Sequence, residues 1–282
     1  MSHLTKITRT IAALVIATFA LCRAHAEDTN VQFKVIAFYT GKDDLAHISF
    51  VKEANRWFPE MGEKYHFSYD STTNWNELNA ETLAKYQVVL FLDTRPEKPE
   101  QRAAFENYME HGGAWMGFHF SAFALTPSAY PQNWDWYHEK FLGAGQYVSN
   151  TWRPTSAILH VDATNHPATK GLPVTFKSAP NEWYRWQYNL RTNSDIEVLL
   201  SIDPASFPLG TGPKLYEIWH SGDYPVAWTN KKYRMIYVNM GHNDMDYEHK
   251  IDKTNKELSS TFQSEEQDKF IINSLLWLGG GK

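Results

Sequence analysis

The chain has 282 residues, with 27 basic and 32 acidic side chains and a formal net charge of −5 at pH 7. Because this acidic balance comes without runs of Lys or Arg, neither nucleic acid nor an anionic membrane is expected as a partner. The sequence contains 11 Trp, 15 Tyr and 16 Phe, an inventory that supplies both core side chains and flat surfaces for stacking on sugars.

The first 26 residues have the pattern of a secretory signal. Lys6 and Arg9 precede an apolar core from 11 to 21, and Ala24-His25-Ala26 forms a small-x-small cleavage site. The apolar core is too short to span a bilayer comfortably, so no transmembrane anchor is expected. The pattern predicts a cleaved leader and a periplasmic or secreted protein.

The mature chain, 27–282, is interpreted as a single domain. Removal of the leader takes away three basic residues and no acidic one, which leaves 24 basic against 32 acidic side chains and a formal charge of −8. It also removes Cys22, the only cysteine. Thiol catalysis and disulfides are therefore excluded, and an ordinary hydrophobic core must stabilise the fold.

The predicted elements alternate from the start of the mature chain. Apolar runs at 35–39, 88–92 and 114–118 predict strands buried on both faces, and 66–69 predicts a shorter strand. Helices are predicted at 46–57, where Pro59 ends the pattern, at 76–85 and at 99–110. This alternation predicts an α/β fold with a doubly wound, mostly parallel sheet covered by helices on both faces.

The regular alternation weakens between 130 and 224, where Trp, Tyr, Pro and Asn are frequent. Strands are predicted at 158–161 and 196–200 within this aromatic-rich region. It is either an insertion or an antiparallel extension that covers one side of the site. Strands at 224–228 and 234–239 and an amphipathic final helix around 270–278 complete the chain.

Polar residues that directly follow the apolar strands are candidates for the functional site, because ligands of doubly wound sheets bind beyond the carboxyl ends of the strands. These residues are Thr40, His47, Asp93, Arg95, His119, Ser121, His242, Asn243 and Asp244.

His119 is the most distinctive of these residues. It is the central residue of Gly117-Phe118-His119-Phe120-Ser121, a spacing that resembles the nucleophile elbow of hydrolases, in which a serine would occupy this position. His242 likewise follows a glycine at the end of a strand. A single histidine at a strand end is usually structural, whereas two at one edge of a sheet favour a functional interpretation.

Two further hypotheses follow from the residues alone. Glu182 directly precedes Trp183 and Tyr184, which suits a general acid or base if it is buried against the rings, whereas a solvated glutamate or a salt bridge to Arg185 is the alternative. His47, His119, His166, His242 and Glu182 have the side-chain types that bind zinc or manganese, although no H-E-x-x-H pair supports a metal site.

The sequence resembles the ThuA-like, or trehalose utilisation, family over residues 33–280. The resemblance rests on the first strand with His47 downstream and on the segments 86–91, 112–119, 134–137, 142–144, 166–173, 181–184, 225–228 and Gly241-His242. It implies the flavodoxin-like fold of class I glutamine amidotransferases. His119 would stand where those enzymes carry their cysteine nucleophile, so glutaminase activity is not expected.

The resemblance also implies a role in the catabolism of disaccharides and keto sugars, with a small-molecule carbohydrate as partner. His119, Glu182, His242 and Tyr184 are the expected catalytic residues. The side chains expected to contact substrate are His47, Trp136, His166, Trp228 and Asn243.

The leading interpretation is an exported lyase, hydrolase or isomerase that acts on a glycoside or keto sugar by acid and base catalysis. The alternatives are a non-catalytic carbohydrate-binding module on the same fold and a metal-dependent hydrolase. A homo-oligomer is compatible with the sequence.

Overall fold

The computed structural model describes residues 31–126, 134–206, 222–243 and 258–280. The predicted leader lies outside these residues. None of the helices described is long and apolar enough to cross a membrane.

The first half of the chain alternates strands and helices as predicted. Its elements are β1 (Phe33–Phe38), α1 (Leu45–Tyr65), β2 (Phe67–Thr72), α2 (Ala80–Leu83), β3 (Val88–Phe91), α3 (Pro99–Glu110) and β4 (Ala114–Phe118). The second half contains mainly strands. Its elements are β5 (Tyr147–Asn150), β6 (Ile158–Val161), β7 (Thr175–Lys177), β8 (Tyr184–Trp186), β9 (Ile196–Ile202), β10 (Pro225–Asn230), β11 (Tyr233–Val238) and α4 (Glu265–Gly280).

Nine of these strands form one sheet in the order β2-β1-β3-β4-β11-β10-β9-β6-β7. The first five are mutually parallel, and their order is the 2-1-3-4-5 arrangement of flavodoxin-like folds. The remaining four pair antiparallel, so seven of the nine strands point in one direction. The prediction of a mostly parallel α/β sheet is confirmed, and strands of the aromatic-rich region extend it in antiparallel fashion.

The central strands are buried on both faces, as their continuous apolar runs predict. Alternate residues of β1 point to opposite sides, with Val35 in one core cluster and Ile36 in the other. Phe50 of α1 and Leu275 of α4 belong to the first cluster, whereas Phe105 of α3 belongs to the second. Helices therefore cover both faces and leave the edge at the strand ends free to form a site.

Two predicted helices are wrong in their extent. Helix α1 continues through Pro59 to Tyr65, which places Met61 and Tyr65 against the core; this packing opposes the helix-breaking effect of proline. The helix predicted at 76–85 is divided, because Asn79 is extended and caps α2 by accepting a hydrogen bond from the Thr82 amide.

Candidate active site at the carboxyl edge of the parallel strands

A cavity of about 780 Å³ opens where β1 and β3 end. Its polar lining includes Thr40, Asp44, His47, Asp93, Arg95, Asn150, Glu182 and His242, and its aromatic lining includes Trp75, Phe120, Phe123, Tyr147, Trp152 and Tyr184. Five of the residues predicted from their positions after strands, namely Thr40, His47, Asp93, Arg95 and His242, are in this lining. The rule that ligands bind beyond the strand ends therefore located the cavity.

His119 occupies a sharp turn at the end of β4. Its φ of 39° lies in the left-handed region, which non-glycine residues rarely adopt, and a 3₁₀ turn follows from His119 to Ala122. Gly117 makes the turn feasible, since a Cβ there would lie 2.0 Å from the Trp115 ring and 2.6 Å from Ser121 Oγ. A sharp turn directly after a strand is the backbone shape that the elbow-like spacing of residues 117–121 predicts. The His119 side chain is almost completely buried in this turn, at 1 % exposure, and lies beneath the cavity.

Glu182 connects the site. It precedes β8, and its amide donates to the His242 carbonyl at 2.8 Å. Its Oε2 lies 3.2 Å from His119 Nε2 and 3.9 Å from His242 Nδ1, while its Oε1 accepts a hydrogen bond from Asn150 Nδ2 at 2.6 Å. Glu182 is only 7 % exposed but lines the cavity, so one carboxylate contacts both the buried imidazole and the space for a ligand.

Asn239 determines which nitrogen of His119 carries the proton. Its Oδ1 accepts from the Tyr184 amide at 2.7 Å and its Nδ2 donates to the Glu182 carbonyl at 3.3 Å, which fixes the amide orientation. The same Nδ2 lies 3.0 Å from His119 Nδ1. With Asn239 in this orientation we assign Nδ1 of neutral His119 as the acceptor and place the proton on Nε2, from which it is donated to Glu182.

His242 lies between two carboxylates. Its Nε2 is 3.5 Å from Asp44 Oδ2 on one side, and its Nδ1 faces Glu182 on the other. Its ring centroid is 4.9 Å from that of His47 and 4.9 Å from that of His119. Asp44 is itself oriented because it caps α1 and accepts from the Ala46 amide at 2.8 Å.

The pKa values of these histidines are shifted in opposite directions. Burial and the charge of His242 lower the pKa of His47 to about 3 and lower the pKa of His119 well below its usual value. Burial also lowers the pKa of His242, but the charges of Glu182 and Asp44 outweigh it and raise this pKa overall. The site therefore contains two imidazoles that resist protonation and one that is protonated more readily than an ordinary histidine.

Tyr184 forms one wall of the cavity. Its ring centroid is 4.1 Å from that of His119, and its side chain is buried except where it lines the cavity. Burial, followed by the negative charge of Glu182, raises the pKa of Tyr184 well above its usual value. The phenol thus stays neutral and can donate a hydrogen bond but cannot serve as a base.

Asp93 and Arg95 support the opposite wall. Asp93 accepts hydrogen bonds from the Thr40 amide at 2.8 Å, the Thr40 hydroxyl at 2.9 Å and the Gly41 amide at 2.5 Å. It thereby holds the loop after β1 next to the end of β3. Arg95 Nη1 lies 3.5 Å from the Phe120 carbonyl, and burial lowers the pKa of its guanidinium to about 10, so it remains cationic at neutral pH.

Four residues expected to contact substrate do not line the cavity. Trp136 donates to Glu110 and stacks on Phe141, and Trp228 is fully buried and donates to the Leu142 carbonyl. His166 accepts from the Ala168 amide and packs on Trp277, and Asn243 accepts from Ser259 and Ser260. Each of these four residues thus makes a structural hydrogen bond, and Asp244 lies outside the described residues.

Sequence reasoning missed Asp44, Asn150 and Asn239. Asp44 had a detectable signal, because an Asp before a helix is a typical N-cap and the positive end of the helix lies at a strand end. Asn150 and Asn239 carried no local sequence signal. Asn150 contacts Glu182, and Asn239 contacts His119, only because the fold brings distant strands together.

The strand order, the cavity at the carboxyl edge and the elbow define a flavodoxin-like α/β protein with a histidine in place of a nucleophile. A family model described as ThuA, trehalose utilisation, matches residues 35–254. The chain belongs to the ThuA family.

Solved structures agree with this assignment. A putative ThuA-like protein from Bacteroides uniformis is 36 % identical, with a TM-score of 0.75 and coverage of 89 % of this chain and 92 % of the other. A putative ThuA-like protein from Parabacteroides merdae shares the fold at 15 % identity, with a TM-score of 0.56 and coverage of 89 % and 91 %. A comparison with curated proteins finds no match.

Proposed function

We propose that the protein is an exported enzyme of carbohydrate catabolism that acts on a glycoside or keto sugar by acid and base catalysis. The observation that carries the proposal is the convergence of Glu182 and His242 on one cavity, with His119 hydrogen-bonded behind Glu182. The family's description as trehalose utilisation supports a carbohydrate as substrate. The signal pattern of residues 1–26 supports export.

Glu182 is the proposed base. A carbonyl on the sugar makes the neighbouring C–H acidic, and a carboxylate held in a fixed orientation can remove that proton. Asn150 and His119 each donate to one oxygen of Glu182, so the side chain is positioned before substrate arrives. His119 acts through Glu182, because its side chain lies beneath the cavity.

His242 is the proposed partner for the negative charge that develops on the sugar oxygen. Its imidazole lines the cavity and binds a proton more readily than an ordinary histidine, and in its protonated form it can stabilise an enolate or protonate a leaving oxygen. Tyr184 lies on the same side and supplies a neutral hydroxyl donor. Proton removal by Glu182 followed by proton delivery from His242 gives elimination or isomerisation.

The walls of the cavity suit a sugar. Trp75, Phe120, Tyr147 and Trp152 contribute flat apolar faces that can stack on the C–H face of a pyranose, and the volume of about 780 Å³ falls within the range of small-molecule sites. Imidazole replaces thiol at the elbow, and the chain from residue 23 onward contains no cysteine. Covalent glutaminase chemistry is therefore excluded.

The proposal is tested by mass spectrometry of a panel of disaccharides and their 3-keto forms incubated with the mature protein, with and without added zinc or manganese. We expect time-dependent consumption of at least one keto sugar. Calorimetric binding of a sugar without turnover of any member of the panel would contradict the proposal and establish the carbohydrate-binding module instead.

A further inference from the structure

Three imidazoles surround one point at the base of the cavity. One ring nitrogen from each of His47, His119 and His242 lies within 4.8 Å of the corresponding nitrogens of the other two. The three residues come from α1, from the turn after β4 and from the loop after β11. Three segments far apart in sequence thus place potential metal ligands together.

His47 and His242 each have one ring nitrogen without a hydrogen-bond partner. His47 Nε2 and His242 Nδ1 are both buried from solvent and make no hydrogen bond. Burial of an unpaired polar atom is unfavourable, and such atoms in a folded protein call for a specific explanation such as a bound ion. A cation between these two nitrogens would satisfy both of them.

The surroundings of His242 match those of a metal-binding histidine. Its other nitrogen, Nε2, faces the carboxylate of Asp44 at 3.5 Å, and a histidine that binds metal through one nitrogen usually donates its other N–H to such a group. Donation of the Nε2 proton to Asp44 leaves the Nδ1 lone pair of His242 available to bind a metal.

Glu182 supplies an oxygen ligand next to these nitrogens. Its Oε2 is 3.9 Å from His242 Nδ1. Ligands about 2.0–2.2 Å from zinc stand roughly 3.3 Å apart in a tetrahedron, so a contraction of about half an ångström would bring this pair to bonding geometry. Two imidazoles and one carboxylate are a familiar ligand set of catalytic zinc sites, which leave the fourth position open.

His119 is not available as a ligand even though it belongs to the cluster. Its Nδ1 accepts from Asn239, whose orientation is fixed by the Tyr184 amide, and its Nε2 proton is donated to Glu182. Coordination through Nε2 would require a proton on Nδ1, which would then face the amide hydrogens of Asn239. The hydrogen bonds therefore place His119 outside the coordination shell, where it orients the carboxylate ligand.

We propose that His47 Nε2, His242 Nδ1 and Glu182 Oε2 form a site for one divalent transition-metal ion, with zinc as the preferred ion and an open position facing the cavity. Imidazole nitrogen favours zinc over magnesium or calcium, which prefer all-oxygen sites. A bound ion would occupy His242 Nδ1 and Glu182 Oε2, so the proton transfers proposed above belong to the metal-free protein, and metal binding is tested separately from turnover.

The test measures metal without any substrate. The mature protein, stripped with a chelator and dialysed, is titrated with Zn²⁺ by isothermal calorimetry, and Co²⁺ absorbance reports the coordination geometry. We expect one Zn²⁺ per chain, with affinity about 100-fold weaker in His47→Ala and in His242→Ala and about 10- to 100-fold weaker in Glu182→Gln. His166→Ala is the matched control and should bind as wild type, because His166 packs against Trp277 away from the cavity.

His119→Asn separates this ligand set from a three-histidine site. The proposal predicts Zn²⁺ affinity within about tenfold of wild type, because the variant keeps all three ligands. Loss of binding as large as in His242→Ala would overturn the assignment. Absence of saturable binding by the wild-type protein, or retention of binding by a His47→Ala/His242→Ala double variant whose circular dichroism is native, would overturn the site itself.

Discussion

Two buried glutamates show how similar burial can accompany different roles. Glu182 is 7 % exposed and Glu53, on α1, is 8 % exposed. Glu53 Oε2 accepts from Ser259 Oγ at 2.5 Å and from the Thr261 amide at 2.9 Å, and its Oε1 lies 3.3 Å from the Phe262 amide. Glu182 instead faces imidazoles and lines a cavity.

The difference supports the proposed catalytic role of Glu182 and a structural role for Glu53. Hydroxyl and backbone donors surround Glu53 and fasten the segment at 258–262 to α1, so its oxygens are occupied by the fold itself. The neighbours of Glu182 include His242 Nδ1, which has no hydrogen-bond partner, and space for a ligand. Burial of a carboxylate alone is therefore a weak indication of function. A neighbouring polar atom at a cavity that lacks a hydrogen-bond partner is a stronger indication.

The largest expected effect is on turnover by Glu182→Gln. The amide cannot accept a proton from substrate, so kcat should fall by about 10²- to 10⁴-fold, the usual range for loss of a general base. Steady-state kinetics on the sugar identified by the panel provides the measurement. A decrease of less than about threefold in a folded variant would mean that Glu182 is no base.

The second effect is on stability and concerns Glu53→Gln. The substitution turns an accepting oxygen into a donor facing the Thr261 amide, which we expect to lower the free energy of unfolding by about 1–3 kcal/mol. Urea denaturation monitored by circular dichroism measures this change. Turnover per folded molecule should remain as in wild type. A decrease in kcat as large as that of Glu182→Gln would show that the two glutamates do not differ in role.

The third effect is on the protonation of His119. Asn239→Asp keeps the acceptor for the Tyr184 amide but replaces the donor facing His119 Nδ1 with an acceptor. The proton of His119 should move to Nδ1, or His119 should bind a second proton. Turnover should fall about 10- to 100-fold, because the hydrogen bond from His119 that orients Glu182 is altered. Nitrogen-15 NMR of labelled histidine distinguishes the tautomers. An unchanged His119 signal would show that Asn239 does not determine the tautomer.

The last effect is pH-dependent stability at Asp268, in α4 near Glu53. Burial, followed by the charge of Glu53, raises the pKa of Asp268 from 3.8 to about 7. The folded state therefore holds this proton more tightly, and the side chain's contribution to stability is lost as pH rises from about 4 to 7.

Asp268→Asn removes this pH dependence. The variant should unfold at a higher urea concentration than wild type at pH 8 and at the same concentration at pH 3.5, where Asp268 is protonated in both states. Equal midpoints at pH 8 would contradict the raised pKa.

Much of the fold follows from local pattern. Continuous apolar runs specified the central strands, and 99–110 and 114–118 were predicted with the bounds that the structure has. Helix α1 was misjudged because the packing of Met61 and Tyr65 outweighs the local effect of Pro59. Local signals cannot report such long-range compensation.

Part of the candidate site could likewise be predicted from local sequence, and part could not. Thr40, His47, Asp93, Arg95 and His242 were recognisable because each follows a strand. Trp136 and Trp228 were misplaced because an aromatic side chain carries no signal that separates a sugar platform from core. Trp228 donates to the Leu142 carbonyl inside the second core cluster, and Leu142 lies in the segment between β4 and β5, far from Trp228 in sequence.

The most direct measurement of the central claim is a crystal structure of Glu182→Gln with the keto sugar that the wild-type enzyme consumes. The account predicts a sugar in the cavity, with the acidic carbon about 3–3.5 Å from the residue 182 side chain and the carbonyl oxygen within hydrogen-bond distance of His242. A sugar bound elsewhere, with the cavity filled only by solvent at saturating concentration, would contradict it.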